Sequence, residues 1–341
     1  MNKPLKQLET RVWRTYKGGK LLDKFLGKSV CEDSEYPEDW ISSFVAAKNK
    51  VVVENEGITK VQTEDGVKLI TDVIDNSDFG LGRDTSGVLI KYLDAAERLG
   101  IQVHPTKDYA LKYFNTPFGK TECWHILDTR EDEGETPEIY LGFKPYVTKE
   151  LWRELFEKQD IKGMLDAMHK IEVKKGDTVL VKGGIPHAIG ANCFLLEIQE
   201  PTDYTMRVER VTVAGDTLTD MQMHYGVGFE AMLDCFDYIP LTREELISKF
   251  VLTPKNETPN LQKLVDYTDT PCFKLEKVQA SDYTLKLDSF VTLIVLSENG
   301  SIEFGNETLN VKRADKVFVP STLDEVKLKN IIAIICYPPK A

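Results

Sequence analysis

Gln102 and His104 stand two residues apart in Ile101-Gln102-Val103-His104-Pro105. On an extended strand they share one face, about 7 Å apart along the chain. Glu122 follows at the head of an apolar run, Cys123-Trp124-His125-Ile126-Leu127, and His187 closes the turn Gly183-Gly184-Ile185-Pro186. An amide oxygen, two imidazoles and a carboxylate form a mixed donor set that suits zinc or another borderline first-row divalent ion, provided the strands converge. Each residue alone is more often structural. Three features coincide here: Gln-x-His shares a strand face, Glu122 closes a short polar segment, and His187 follows a tight Gly-Gly-x-Pro turn.

The elements that must position these residues are mainly strands. Leu89 to Ala96 suits strand or helix on periodicity alone, and its place just before the Gln-x-His segment favours a buried strand in part; Pro105 stops that segment from continuing as a central ladder strand. Asp108 to Tyr113 reads as a short helix, and Glu138 to Phe143 as a strand. Thr148 suits an N-cap for an amphipathic helix through Phe156, with a second helix from Ile161 to His169. Residues 66–75 read as a further helix. From 171 the pattern turns to strands: Ile171-Glu172-Val173 and Thr178 to Val181 resemble a hairpin around Lys174-Lys175-Gly176-Asp177, and Cys193 to Gln199 forms the next strand. Residues 226–253 read as helical and connecting, and 253–260 as a linker. The remaining residues are strand after strand, with a hairpin signal at Asn299-Gly300. They contain no His, so a second metal site like the first is not expected there.

At 341 residues the chain is long enough for two or three domains and a large core. Its formal charge of −12 opposes nonspecific binding to nucleic acid or anionic membrane. An anionic substrate would therefore need a local basic pocket. The six cysteines are scattered without a C-x-x-C pair and read as free, mostly buried thiols. With no apolar leader and no run of about eighteen apolar residues, the reading is a soluble, reduced, cytoplasmic protein. Nothing in the sequence specifies an oligomeric state.

Among other candidates, Cys123 reads as a core thiol rather than a nucleophile. His125, His169 and His224 read as helix-terminal or surface residues. Lys120 shares an extended face with Glu122, and Arg207 follows the turn Pro201-Thr202-Asp203; a solvated surface charge is the ordinary reading of either.

Taken together, Gln102-Val103-His104-Pro105, Gly119-Lys120-Thr121-Glu122-Cys123-Trp124, Gly184-Ile185-Pro186-His187-Ala188-Ile189-Gly190, and Glu197-Ile198-Gln199 with Arg207 resemble type I mannose-6-phosphate isomerase, in its short bacterial, zinc-dependent cupin form. Order and spacing match over roughly residues 85–210, and the opening Trp13, Gly18-Gly19 and Trp40-Ile41-Ser42 match more loosely. The resemblance implies a mainly β chain of two cupin, or jelly-roll, domains: a catalytic cupin over 1–255 with a helical insert at about 144–170, and a metal-free cupin-like domain over 256–341. It implies that Gln102, His104, Glu122 and His187 hold one Zn2+ per chain, that Arg207 is the active-site arginine, and that Lys120 lines the same pocket. The substrate it implies is a small sugar phosphate, mannose 6-phosphate interconverting with fructose 6-phosphate. Met206-Arg207-Val208-Glu209-Arg210 and Pro37-Glu38-Asp39-Trp40 depart from the family's usual wording, so a different sugar is an alternative. A regulatory sugar-binding cupin without turnover is another. A cupin dioxygenase is disfavoured, because Gln102 stands where a further imidazole would serve redox iron.

Overall fold

The structure, a computed structural model, describes residues 1–130 and 136–340. Residues 131–135 and 341, within the two expected units, lie outside the described residues. Three antiparallel sheets carry the fold. A seven-stranded sheet runs in the order Val251–Leu252, Thr178–Val181, Glu122–Thr129, Cys193–Gln199, Leu89–Ala95, Glu38–Ile41, Arg11–Val12. A five-stranded sheet runs Met168–Glu172, Glu138–Phe143, His187–Ile189, Gln102–Val103, Met206–Arg207. An eleven-stranded sheet contains the C-terminal strands and also takes in Leu5–Gln7, Lys60–Thr63 and Gly66–Leu69 from the start of the chain.

The layers follow from strand alternation. Leu93, Trp124, Ile126, Leu195 and Val179 of the seven-stranded sheet pack against Ile139, Leu141, Ile171 and Ile189 of the five-stranded one. The opposite faces of the same strands, including Ile90, Tyr92, Cys123 and Leu196, pack against Phe290, Ile294, Phe318 and Ile334 of the large sheet. Both faces of the middle sheet are therefore buried, which is why its strands read as almost continuous apolar runs. Helices cover the outer face of the five-stranded sheet. Trp152, Phe156 and Met164 meet Met223, Met232 and Phe236, so the expected insert and the later helices Asp220–His224 and Phe229–Asp234 build one layer. The mainly β, cupin-type reading with a helical insert is met.

Several local expectations are corrected. Residues 66–75 are not a helix. Glu64-Asp65 turns a hairpin between Lys60–Thr63 and Gly66–Leu69, with Gly66 at φ 109° opening the second strand, before a single 3-10 turn at Ile70–Asp72. The second helix of the insert ends at Asp166, and Met168–Glu172, with His169, is strand. Ile171 and Thr178 do not lie in one hairpin. Their strands join different sheets, and the turn between them crosses over, with Gly176 N–H donating to Ile126 O at 2.8 Å. The expected linker contains the exposed edge strand Lys255–Thr258, bounded by Pro254 and Pro259. The Asn299-Gly300 signal opens a strand, and the hairpin lies at Gly305-Asn306 instead.

His125, His169 and His224 are buried, not superficial. His125 Nδ1 meets Thr178 Oγ1 at 2.9 Å, His169 Nε2 donates to Leu241 O at 2.8 Å, and His224 Nδ1 accepts from Gly226 and Gly228 N–H. Only His224 ends a helix. All six cysteines are free, five of them buried. No described helix is long and apolar enough to cross a membrane.

Candidate metal centre and substrate pocket

Register brings the expected residues together. In the five-stranded sheet Gln102 lies directly across from His187 on one side and from Arg207 on the other, so the three side chains form one row on one face. In the facing sheet Trp124, Glu197, Lys91 and Trp40 form a second row across four strands. Glu122, two residues before Trp124, shares its face. The two rows look at each other across the sandwich.

Two glycines make the convergence possible. A Cβ on Gly119 would lie 2.6 Å from Pro105 O, and one on Gly183 would lie 2.7 Å from the same oxygen. The loops bearing Lys120 and His187 thus press against the Gln-x-His-Pro segment. Lys120 N–H donates to Pro105 O at 2.9 Å, and Gly184 N–H donates to His104 O at 2.8 Å.

His104, Glu122 and His187 offer ligand atoms that all lie within 4.8 Å of one another, and all three residues are buried. His104 Nδ1 donates to Tyr204 O at 3.0 Å and His187 Nδ1 donates to Ile185 O at 2.8 Å. A carbonyl can only accept, so each ring carries its proton on Nδ1 and turns a bare Nε2 inward. The two Nε2 atoms face each other at 3.2 Å, with Glu122 Oε2 3.0 Å from that of His104. The Gln102 amide reaches His187 Nε2 at 3.2 Å, and a half-turn of that amide would present its oxygen instead. Trp124 Nε1–H donates to Glu122 Oε1 at 3.0 Å and orients the carboxylate.

The protonation states also suit an ion. Burial, then the Lys120 charge, lowers His104 to about 3, and burial lowers His187. Burial would raise Glu122, but Lys120 and then His104 hold it well below the ordinary carboxylate range. Near neutrality the cluster is two neutral imidazoles and one carboxylate, the forms that bind metal. Glu122 Oε2 is buried without a well-formed hydrogen bond, although Lys120 Nζ lies 3.0 Å away. Lys120 Nζ also donates to His104 Nε2 at 2.8 Å. In this structure the Lys120 ammonium faces these unprotonated acceptors, and their donor set fits a divalent ion in its place.

Beside the cluster lies a pocket lined by Gln102, Lys120, Lys91, Glu197, Arg98 and Arg207 among others. Arg98 is matched by a bidentate pair with Glu209, at 2.6 and 2.9 Å. Arg14 pairs with Glu38 at 2.9 Å and Lys91 with Glu197 at 3.2 Å. Arg207 donates only to neutral oxygens, those of Thr205 O, Gln222 O and Tyr225 Oη. Among the described residues it has no carboxylate partner. It is the pocket's free guanidinium.

The structure thus brings together Gln102, His104, Lys120, Glu122, His187 and Arg207. The site also takes in Lys91, Glu197 as a pocket group and the Glu38–Arg14 pair, which motif spacing alone does not single out. A signal was present: Lys91 and Glu197 are charges in the middle of the apolar runs Leu89-Ile90-Lys91-Tyr92-Leu93 and Leu195-Leu196-Glu197-Ile198, and such charges are seldom buried without partners. Burial, then the neighbouring Glu122 charge, raises the Glu197 carboxyl.

Removing the Trp124 donor should loosen the centre without removing a ligand. Trp124→Phe is expected to weaken metal affinity by about 10- to 100-fold while the protein stays folded, as measured by competition with a chromophoric chelator. Unchanged affinity would show that this bond does not orient Glu122.

No protein-family model matches the chain. It is 30% identical to the mannose-6-phosphate isomerase of Streptococcus mutans over 340 residues, which cover 96% of this chain and 95% of that one. It is 27% identical to a mannose-6-phosphate isomerase of Bacillus subtilis, over 72% of this chain and 73% of the other. Among solved structures, the mannose 6-phosphate isomerase from Bacillus subtilis superposes with a TM-score of 0.74 at 20% identity, covering 98% of this chain and all of that one. A single-site mutant of phosphomannose isomerase from Salmonella typhimurium gives 0.73 at 13% identity, covering 98% and 99%. The full-length match to the streptococcal enzyme, on a fold of the same kind, decides the matter: this chain belongs to the mannose-6-phosphate isomerase family.

Proposed function

We propose that the chain interconverts mannose 6-phosphate and fructose 6-phosphate, with one zinc ion held by Gln102, His104, Glu122 and His187. The observation that carries this reading is the pair of inward-facing bare Nε2 atoms beside Glu122, opening onto a pocket with an unpaired arginine, in a chain of this family. When bound, the ion supplies Lewis-acid stabilisation for negative charge developing on the sugar oxygens of a cis-enediol intermediate.

The chain's own residues supply the rest. The single lone pair of His104 Nε2 cannot serve both Lys120 and an ion, so with an ion held there the ammonium would be free to face the pocket that Lys120 already lines. There it can carry a proton or meet a substrate oxygen. Glu197, with its raised carboxyl and Lys91 at 3.2 Å, is a second group able to hold a proton. The free fork of Arg207 suits the phosphate. All six proposed site residues precede residue 255, which supports a catalytic unit over 1–255 and a metal-free one over 256–341. The C-terminal sheet nevertheless borrows strands from the first unit. Six cysteines kept as thiols support a cytoplasmic location.

The direct test is a coupled assay of purified protein with mannose 6-phosphate and, in parallel, other phosphorylated and free aldoses. Turnover of mannose 6-phosphate is expected; saturable binding of it by the zinc-loaded protein without isomerisation would favour the regulatory reading. Arg207→Met is expected to raise KM for the phosphorylated sugar roughly 30-fold or more, from the loss of about 2 kcal/mol of charge-assisted bonding. A KM within threefold of the parent would place the phosphate elsewhere.

A further inference from the structure

The strand Glu122–Thr129 has a second face. Glu122 and Trp124 look into the metal centre, whereas Cys123, His125 and Leu127 look toward the eleven-stranded sheet. On that far side a cavity of about 370 Å³ is lined by Lys24, Lys175, Lys277, Arg313 and His125, with Asp128 as its carboxylate. Its floor is apolar and includes Phe25, with the Arg313 guanidinium 5.6 Å from the ring centroid.

Four cationic side chains around one small space stand out in a chain of charge −12. Arg313 pairs with Glu298 at 2.8 Å, at the exposed edge. Lys24, Lys175 and Lys277 have no ion-pair or hydrogen-bond partner for their ammonium groups among the described residues. His125 is 6% exposed, and its Nδ1 is taken up by Thr178 Oγ1. Its Nε2 has no hydrogen-bond partner among the described residues. The Thr178 hydroxyl can donate to or accept from Nδ1; in the tautomer where it donates, Nε2 carries a proton and offers an N–H, the form an anion beside the ring selects.

We propose that this cavity is a second binding site, separate from the metal centre, for a small anion of the phosphate class. Lysine ammoniums supply the charge, His125 supplies a directed donor, and Phe25 leaves room for an organic body on the phosphate. Lys24, His125 and Lys175 come from the first part of the chain, and Lys277 and Arg313 from its C-terminal strands. A bound anion would therefore tie the seven-stranded sheet to the eleven-stranded one behind Glu122. Burial, with Lys277 second, lowers His125 to about 4, so the ring donates as a neutral group near neutrality.

The test uses the full chain and needs no turnover, so it stands apart from the isomerase reading. Five histidines make the ring resonances assignable by NMR, with His125→Gln identifying the relevant one. Titrated inorganic phosphate is expected to shift the His125 resonance saturably, both in the parent and in Arg207→Met. Lys24→Glu/Lys277→Glu is expected to raise the half-saturating concentration at least tenfold, and Lys175→Glu, in an exposed turn, to do the same if the double variant folds poorly. Fructose 6-phosphate replaces phosphate in a second arm: a half-point below that of inorganic phosphate identifies an ester as the ligand, and a higher one identifies the free ion. A His125 resonance that stays fixed, that follows sodium chloride at equal ionic strength, or that loses its shift in Arg207→Met would overturn the site.

Discussion

Glu122→Gln is expected to leave a folded protein that binds zinc weakly and has lost about three orders of magnitude in turnover. The replacement keeps the shape and removes the only carboxylate among the converging groups. Glu122 is held ionised by Lys120 and His104 against its own burial, so its charge is what the centre is built around. Without it two imidazoles and two amides remain, and the ion loses its anionic ligand. If the ion contributes about 4 kcal/mol to stabilising charge in the transition state, the loss corresponds to roughly a thousandfold. Metal content after gel filtration and kcat on mannose 6-phosphate measure both parts together. A variant with full zinc occupancy and near-parent kcat would remove Glu122 from the centre. The change can keep the Trp124 bond to Oε1 but breaks the buried ion pair with Lys120, so a lower unfolding temperature is expected beside the retained fold.

Lys120→Met should separate chemistry from metal binding. Lys120 Nζ lies 2.8 Å from His104 Nε2 and 3.0 Å from Glu122 Oε2, so it competes with an ion for the same acceptors. Its removal is expected to leave zinc affinity unchanged or higher. Activity should fall by about 10²- to 10⁴-fold, the usual contribution of a positioned proton carrier. The sign of the metal effect makes the experiment informative, since a merely structural lysine would lower affinity and stability together. Retained activity within tenfold would transfer the proton to another group, with Glu197 next in line.

What could be read from the sequence follows from how local the signals were. Gln102 and His104 declare their shared face by spacing alone, and Thr148 caps the helix Lys149–Lys158 through its own side chain, which accepts from Leu151 N–H. The His187 position relative to Gln102 is different in kind. It depends on an antiparallel register between strands far apart in the chain, and only the resemblance joined them before the fold did. Lys91 and Glu197 were legible in principle as charges inside apolar strands, yet their facing direction depends on the same long-range register. The misread elements share a cause. Residues 66–75 and 171–181 have patterns that suit two local structures, and partners outside each segment decide between them: the strand Lys60–Thr63 for the first and two separate sheets for the second. His125 and His169 looked superficial because nothing nearby in the sequence reveals that Thr178 Oγ1 and Leu241 O wait to receive them.

The central claim is that a single ion among Gln102, His104, Glu122 and His187 drives aldose–ketose isomerisation. The most direct measurement is turnover of mannose 6-phosphate by chelator-stripped protein as zinc is returned in measured amounts. Activity is expected to be absent at zero zinc and to rise linearly to a plateau at one equivalent per chain. Full turnover by the stripped protein, or a plateau without turnover after one equivalent has bound, would contradict it.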